Sequence, residues 1–381
     1  MTRTLFPLFR NALREDSMEE IIDLDREALG RLYKLSKMHD MAHLIGYAMK
    51  KSGIKTDDDI QNAFEQAMNT AAFRYVKINY DLNALSNALE EAQIPFIPLK
   101  GSVIRKYYNE PWLRTSCDID ILVHKSDLEK VKKVFVDTLH YEYISAWNYE
   151  VSYHTPSKTH IELHHTLSDD NQQADKVLEE VWQHAAPMEN HTYHHEMSDA
   201  MYYLYHMVHM AKHFVNGGCG IRPFLDIWVL NHNCSFDRQK RYELLERAGL
   251  LPFAKEAEQL SEAWFTPSPH TPLSEQLERF ILNGGSYGSV ENRVAVQQAI
   301  TGSKLSYLLS RIFLPYDQLK LTYPNLVKRK WLFPFYQVKR WFRLFYKGRL
   351  KRSVSEAKKT SAVTTAENDQ TTQLLTALGL K

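Results

Sequence analysis

Apolar and polar positions change rhythm twice along this chain. From residue 1 to about 92 the pattern is helical, with Pro7 the only proline. Met38-His39-Asp40-Met41-Ala42-His43-Leu44-Ile45 and Ala71-Ala72-Phe73-Arg74-Tyr75-Val76 carry apolar residues at helical spacing. Over 80–92, Leu82, Leu85 and Leu89 share one side of a further helix. At Gln93 the texture shifts. Ile94-Pro95-Phe96-Ile97-Pro98-Leu99 is short, apolar and extended, because proline disfavours helix in the residue before it. Gly101 permits a tight turn into a helix over 102–108. A strand is predicted over 118–123 and an amphipathic helix over 125–139, opened by Ser126 or Asp127. Three more strands follow over 141–146, 149–153 and 160–166. The order strand, helix, strand, helix, strands describes a small α/β or α+β unit.

From 170 to about 313 the helical rhythm returns. Met197-Ser198-Asp199 opens a helix through Phe214, Gly217-Gly218 ends it, and Pro223 starts another to Asn231. The expected divisions are an N-terminal helical region (1–92), a core (93–169), a helical domain (170–313), a basic aromatic segment (314–353) and a tail (354–381). The tail is rich in Ser, Thr, Ala, Glu and Gln and is expected to be disordered, with at most a brief helix at 374–380.

The bulk numbers narrow this picture only a little. The 381 residues suffice for two or three cores, and 44% apolar with 24% charged residues is ordinary for a soluble globular protein. A net charge of +1 argues against a global attraction to polyanions, so any basic surface is local. Cys117, Cys219 and Cys234 show neither zinc spacing nor a disulfide framework, which favours a reducing compartment. Met1-Thr2-Arg3-Thr4-Leu5-Phe6 lacks a long apolar stretch, so no signal peptide is expected. No run approaches the roughly 20 apolar residues that span a bilayer. A cytoplasmic setting is the expectation.

The chemistry concentrates at Asp118-Ile119-Asp120. Carboxylates at i and i+2 on a strand face the same way. Glu162, a lone acid between Ile161 and Leu163, could complete a hard-oxygen site from an adjacent strand. Lys100-Gly101-Ser102 would offer backbone N–H groups, a hydroxyl and a cation to phosphates at a strand-to-helix turn. The plain alternative is that Asp118 caps a turn, Asp120 lies on the surface and Glu162 pairs with a nearby Lys or His. A glycosyltransferase Asp-x-Asp is the rival use. That motif usually follows its apolar strand, whereas here Ile121-Leu122-Val123 come after the acids. The first ninety or so residues also lack the strand–helix alternation of a sugar-nucleotide domain.

Leu99-Lys100-Gly101-Ser102, Arg114 ahead of Asp118-Ile119-Asp120-Ile121-Leu122-Val123, and Ile161-Glu162-Leu163-His164 together resemble the nucleotidyltransferase (polymerase-beta-like) superfamily. Within it, they are most similar to the bacterial "uncharacterised nucleotidyltransferase" family. The resemblance runs over about 94–166 and more loosely to 231. It implies an α+β fold, with a small mixed sheet and flanking helices between the two helical regions. It also implies Asp118, Asp120 and Glu162 as catalytic metal acids, Gly101 and Ser102 as phosphate-loop residues, and an NTP substrate with Mg²⁺ or Mn²⁺. Val103 and Ile104 depart from the small residues usual after that loop, so phosphate contacts are expected to differ. Arg114 would steady the acids or contact the triphosphate.

Histidines crowd 154–213. His206, His209 and His213 share one helix face. They could form a zinc site through His209 and His213, overlook the active site, or line a half-buried face. The resemblance extends to His209 and His213 with Arg222 and Asp226, which favours a substrate-side or packing role over zinc. His164-His165 could support Glu162 or follow it by chance. From Lys328 to Arg352 there are ten lysines and arginines, no acid, and interleaved aromatics. This composition suits an anionic membrane surface, a single-stranded nucleic acid, or a helix packing its aromatics on the body. Nucleic acid ranks below the membrane, so a peripheral position at the inner membrane face is an expectation. The reading is metal-dependent transfer of an NMP group from an NTP to an unidentified hydroxyl or phosphate of a small molecule, glycan or protein. The alternative is a catalytically silent adaptor or nucleotide sensor of the same fold, docked at a membrane.

Overall fold

Helices α1 (Thr2–Leu13), α2 (Arg26–Met38), α3 (Ala42–Lys51) and α4 (Asp58–Glu91) precede the first strand in this computed structural model. It describes residues 2–13, 25–147, 149–168, 171–286 and 288–302, parts of 306–346, and 365–381. Asp25 caps α2, its carboxylate accepting from the Ala28 N–H at 2.7 Å. In α4 the buried residues Phe64, Ala71, Ile78 and Leu85 recur every seven positions, so one stripe faces inward along the whole helix.

The sheet follows. Strand β1 (Phe96–Pro98), short helix α5 (Gly101–Ile104), β2 (Asp118–Val123), α6 (Leu128–Lys133), β3 (Glu142–Trp147), β4 (Glu150–His154) and β5 (His160–His164) give the strand order β1-β2-β5-β4-β3. β2 and β5 run parallel, and the other pairs are antiparallel. Side chains alternate across a sheet. Ile119, Ile121, Val123, Ile161 and Leu163 therefore face one way, into a core with Ile78, Leu85 and Leu89 of α4 and Val131 of α6. The opposite face carries Asp118, Asp120 and Leu122 on β2 and His160, Glu162 and His164 on β5. Leu122 enters a second core with the surrounding helices, while the acids remain at its edge.

That second core is built by α1, α3 and the helices after the sheet. These are α7 (Gln172–Leu178), a ribbon β6 (Ala185–Pro187) and β7 (His195–Met197), α8 (Asp199–Val215), α9 (Arg222–His232), α10 (Arg238–Arg247), α11 (Leu251–Phe265), α12 (Pro272–Leu282) and α13 (Val290–Thr301). Phe6 of α1 stacks on Trp264 of α11 at 4.8 Å, and Arg10 Nη1 donates to the Trp264 carbonyl at 2.9 Å. The helical stretches expected at 1–92 and 170–313 thus share one interior. The fold is α+β, with the mixed sheet flanked by helices on both sides.

Local differences have local causes. The helix expected over 102–108 divides into α5 and a 3₁₀ turn, Arg105–Tyr107, and Asp127 makes no side-chain cap for α6. The tail expectation needs a larger correction. Residues 365–377 form a helix, α15 (Thr365–Ala377), and Leu374, Leu375 and Leu378 are buried in the core beside α12 and α13. A polar average composition hid three leucines on one stripe, and their burial offsets the cost of ordering the segment. Residues 354–364 lie outside the described residues. Between α13 and α15 lies α14 (Phe333–Tyr346). Among the described residues no helix is long and apolar enough to cross a membrane.

Leu375→Ala is expected to lower the unfolding free energy by about 2–4 kcal/mol in urea titration, because the side chain is fully buried. An unchanged midpoint would mean that the tail does not dock.

Candidate active site

The site begins at a strained turn. Ser102 N donates to the Leu99 carbonyl at 3.2 Å, closing a tight turn after β1. The positive φ falls on Lys100 (φ 48°, ψ −126°) and not on Gly101, where flexibility was expected. A side chain in this region costs on the order of 1–3 kcal/mol and persists only where its surroundings hold it. Here Leu99 N donates to the Asp120 carbonyl at 2.9 Å and Tyr202 Oη donates to the Lys100 carbonyl at 2.8 Å. Gly101 has a different role. A Cβ there would lie 3.0 Å from Ser116 Cβ, so glycine lets the turn approach the segment leading into β2 without displacing Ser116.

The turn aims Lys100 at the acids. Its ammonium lies 2.6 Å from Asp120 Oδ1 and 3.6 Å from Glu162 Oε2. Asp120 and Glu162 are register partners on β2 and β5, which explains their proximity. His164, two residues along β5 on the same face, places Nε2 3.0 Å from Asp120 Oδ1 and 3.6 Å from Glu162 Oε2. Asp120, Glu162 and His164 each offer an atom to a group lying within 4.8 Å of one another. Asp118 stands beside them at the cavity.

Electrostatics separates the two aspartates. Burial would raise the Asp120 carboxyl, but Lys100 and His164 outweigh it and hold it well below the usual carboxylate range. Asp118 moves the other way: burial and the neighbouring Asp120 charge push it up. Burial opposes the charged form of His164, yet its bonds to Asp120 and Glu162 raise it to about 9. Lys100 is held well above its ordinary value by Asp120 despite its own burial.

Above the acids lies a cavity of about 330 Å³ between the sheet and α8 and α9. Lys100, Gly101, Arg114, Asp118 and Glu162 line one side, and His206, His209, His213, Arg222 and Asp226 line the other. Arg114 does not touch the acids. Its Nε lies 2.8 Å from Asp226 Oδ1 and its Nη2 2.9 Å from Asp226 Oδ2, a fork-to-fork pair completed by Tyr108 Oη on Oδ1 at 2.7 Å. Arg222 pairs with Asp40. His209 and His213 face each other with Nε2 atoms 3.0 Å apart, while His206 Nε2 lies 3.1 Å from the Pro223 carbonyl.

A family profile described as "uncharacterised nucleotidyltransferase" matches residues 25–266. The chain belongs to that family. Searches of curated proteins and of solved structures found no match. The family span begins with α2 and ends with α11, so it takes in both walls of the cavity. It is wider at both ends than the resemblance read from the acidic core.

Against this family's expected residues, the structure brings Lys100, Gly101, Arg114, Asp118, Glu162, His209, His213, Arg222 and Asp226 to one cavity, with Asp120 buried directly beneath. Ser102 is set apart: it is not among the residues lining the cavity, and its hydroxyl is buried and makes no hydrogen bond. Ser116 stands in the lining instead, its Oγ accepting from Arg105 Nη2 at 2.7 Å. Sequence reasoning passed over Asp40, His39, Tyr202 and Tyr205, which also line the cavity. The tyrosines shared a helix with the histidines and could have been taken with that face; for His39 and Asp40 no local signal existed.

Asp226→Ala is expected to cost about 3–5 kcal/mol of stability, because it strands the Arg114 charge in a buried setting. A loss below about 1 kcal/mol in urea titration would show the pair to be dispensable. Acid should also destabilise the protein. Burial lowers His39 and His43 to about 4, so between pH 6.5 and 4 the unfolded chain takes up protons that the folded one refuses. The urea midpoint is expected to fall from pH 7.5 to pH 5, and less steeply in His43→Gln.

Proposed function

We propose that this protein transfers an NMP group from an NTP to an acceptor hydroxyl or phosphate, with Mg²⁺ or Mn²⁺ held by Asp118, Asp120 and Glu162. The observation that carries the reading is the convergence of Asp120, Glu162 and His164 on one point at the floor of the cavity, in a chain of a nucleotidyltransferase family. The residues fit a hard divalent cation. They offer carboxylate oxygens from adjacent strands, and a cation, the Lys100 ammonium, already sits 2.6 Å from Asp120. A bound metal ion would neutralise the triphosphate and help align attacking and leaving oxygens.

The chain's own groups supply the remaining work. Asp120, kept ionised by Lys100 and His164, provides a permanent negative charge, and His164 orients it. Glu162, more exposed than Asp120, is placed to position or deprotonate the acceptor. Lys100 and the backbone at Gly101 face the NTP phosphates. Arg114, locked by Asp226, lends positive potential there. His209, His213, Arg222 and Asp226 bound the acceptor side. The acceptor is a small molecule, a glycan or a protein side chain. A cytoplasmic setting, where NTP is abundant, suits the free Cys117, Cys219 and Cys234.

One observation favours a second reading, a silent nucleotide sensor of the same fold. Lys100 already neutralises Asp120, the most buried of the three proposed metal acids, so that carboxylate is paired without metal.

Pyrophosphate release is expected when the protein, Mg²⁺ and one of ATP, GTP, CTP or UTP meet a cell-extract acceptor pool. Asp118→Asn/Asp120→Asn should lower that release by at least about a hundredfold and weaken Mg-NTP binding. Unchanged Mg-NTP binding by the double variant would sink the metal assignment. NTP binding with no pyrophosphate from any pool would favour the sensor.

A further inference from the structure

Helix α14 (Phe333–Tyr346) divides its described aromatic side chains between two faces. The inner face is held by polar and ring contacts. Gln337 is buried and donates to the Leu314 carbonyl at 2.5 Å, and Trp341 Nε1 donates to the Ile312 carbonyl at 2.8 Å. The Tyr336 ring lies 4.6 Å from that of Tyr323. The outer face is the apolar one. Phe335 (59% exposed), Val338 and Phe342 (70%) follow i, i+3, i+7 spacing, and Trp331 (75%) extends the stripe from the turn ahead. Contacts with Ile312 and Tyr323 of the preceding segment therefore account for Trp341 and Tyr336 but leave Trp331, Phe335 and Phe342 in water.

Cations surround the stripe. Lys328, Arg329, Lys330 and Lys339 are exposed, and no acid occurs between Asp317 and Glu356. We propose that this face docks on a bilayer surface carrying anionic phospholipids. Basic side chains meet the headgroups, the apolar stripe enters the boundary with the acyl chains, and a tryptophan suits that interface. The exposed aliphatic side chains, Val338 on the stripe and Val327 four residues before Trp331, decide between partners. Acyl chains accept them, whereas a single-stranded nucleic acid is held by stacking on aromatic rings. The attachment is superficial, because no described helix is long and apolar enough to span. This inference is independent of the proposed reaction, since none of these residues lines the cavity.

The test is sedimentation of the full chain with vesicles of phosphatidylcholine alone and with phosphatidylglycerol mixed in. Binding to the mixed vesicles, weakened by salt and absent with phosphatidylcholine alone, is expected. Trp331→Ser/Phe335→Ser/Phe342→Ser and, separately, Lys328→Gln/Arg329→Gln/Lys330→Gln should each weaken it by about tenfold or more. Both triple variants change exposed side chains, and circular dichroism would check that they fold. No binding to the mixed vesicles, equal binding by either variant, or binding to a single-stranded oligonucleotide in place of vesicles would overturn the proposal.

Discussion

A buried carboxylate has to be paired, and in this protein the pairing of Asp120 organises everything around it. Taking an unpaired charge out of water costs far more than a fold can spare. Lys100 supplies the pairing, and it reaches Asp120 only because its backbone accepts a positive φ at the end of β1. That conformation is held by backbone bonds to β2 and by Tyr202 from α8. Gly101 lets the same turn press against Ser116. Charge, strain and close packing are thus parts of one arrangement.

The second constraint is the parallel register of β2 and β5. It sets Asp120 beside Glu162 and places His164 on their face, while the alternate residues Ile119, Ile121, Ile161 and Leu163 secure the strands to α4. A slip of one residue would turn the acids into the apolar core. The site's precision therefore rests on hydrophobic contacts on the far side of the sheet. On the near side, the Arg114–Asp226 pair ties the segment before β2 to α9, so the cavity walls are joined by a buried, bidentate contact. The proposed transfer would need such fixed walls, because positioning supplies much of the rate of such a reaction.

Much of the sheet was legible locally. The strand over 118–123, the helix after Ser198 and the acids at i and i+2 are written in short-range periodicity and capping residues, which act through neighbouring positions. The role of Ser102 was read from its place beside Gly101, but Ser102 is not among the residues that line the cavity. Which hydroxyl meets the cavity depends on how the turn rotates, and Ser116 arrives from another segment. The tail expectation failed for a reason of its own. Its average composition is polar, but Leu374, Leu375 and Leu378 meet on one stripe once a helix forms against α12 and α13.

The sequence by itself determined the strands, the alternation that turns Asp118, Asp120 and Glu162 to one face of the sheet, and the acid-free basic run near the C-terminus. These are properties of chain geometry and charge, which need no distant partner. Tertiary structure alone decided that Lys100 neutralises Asp120, that Arg114 binds Asp226, that His39 and Asp40 join the cavity, and which aromatics of α14 stay in water. Each of these depends on segments far apart in the chain meeting in one interior, where low dielectric and close packing make the choice of partner decisive.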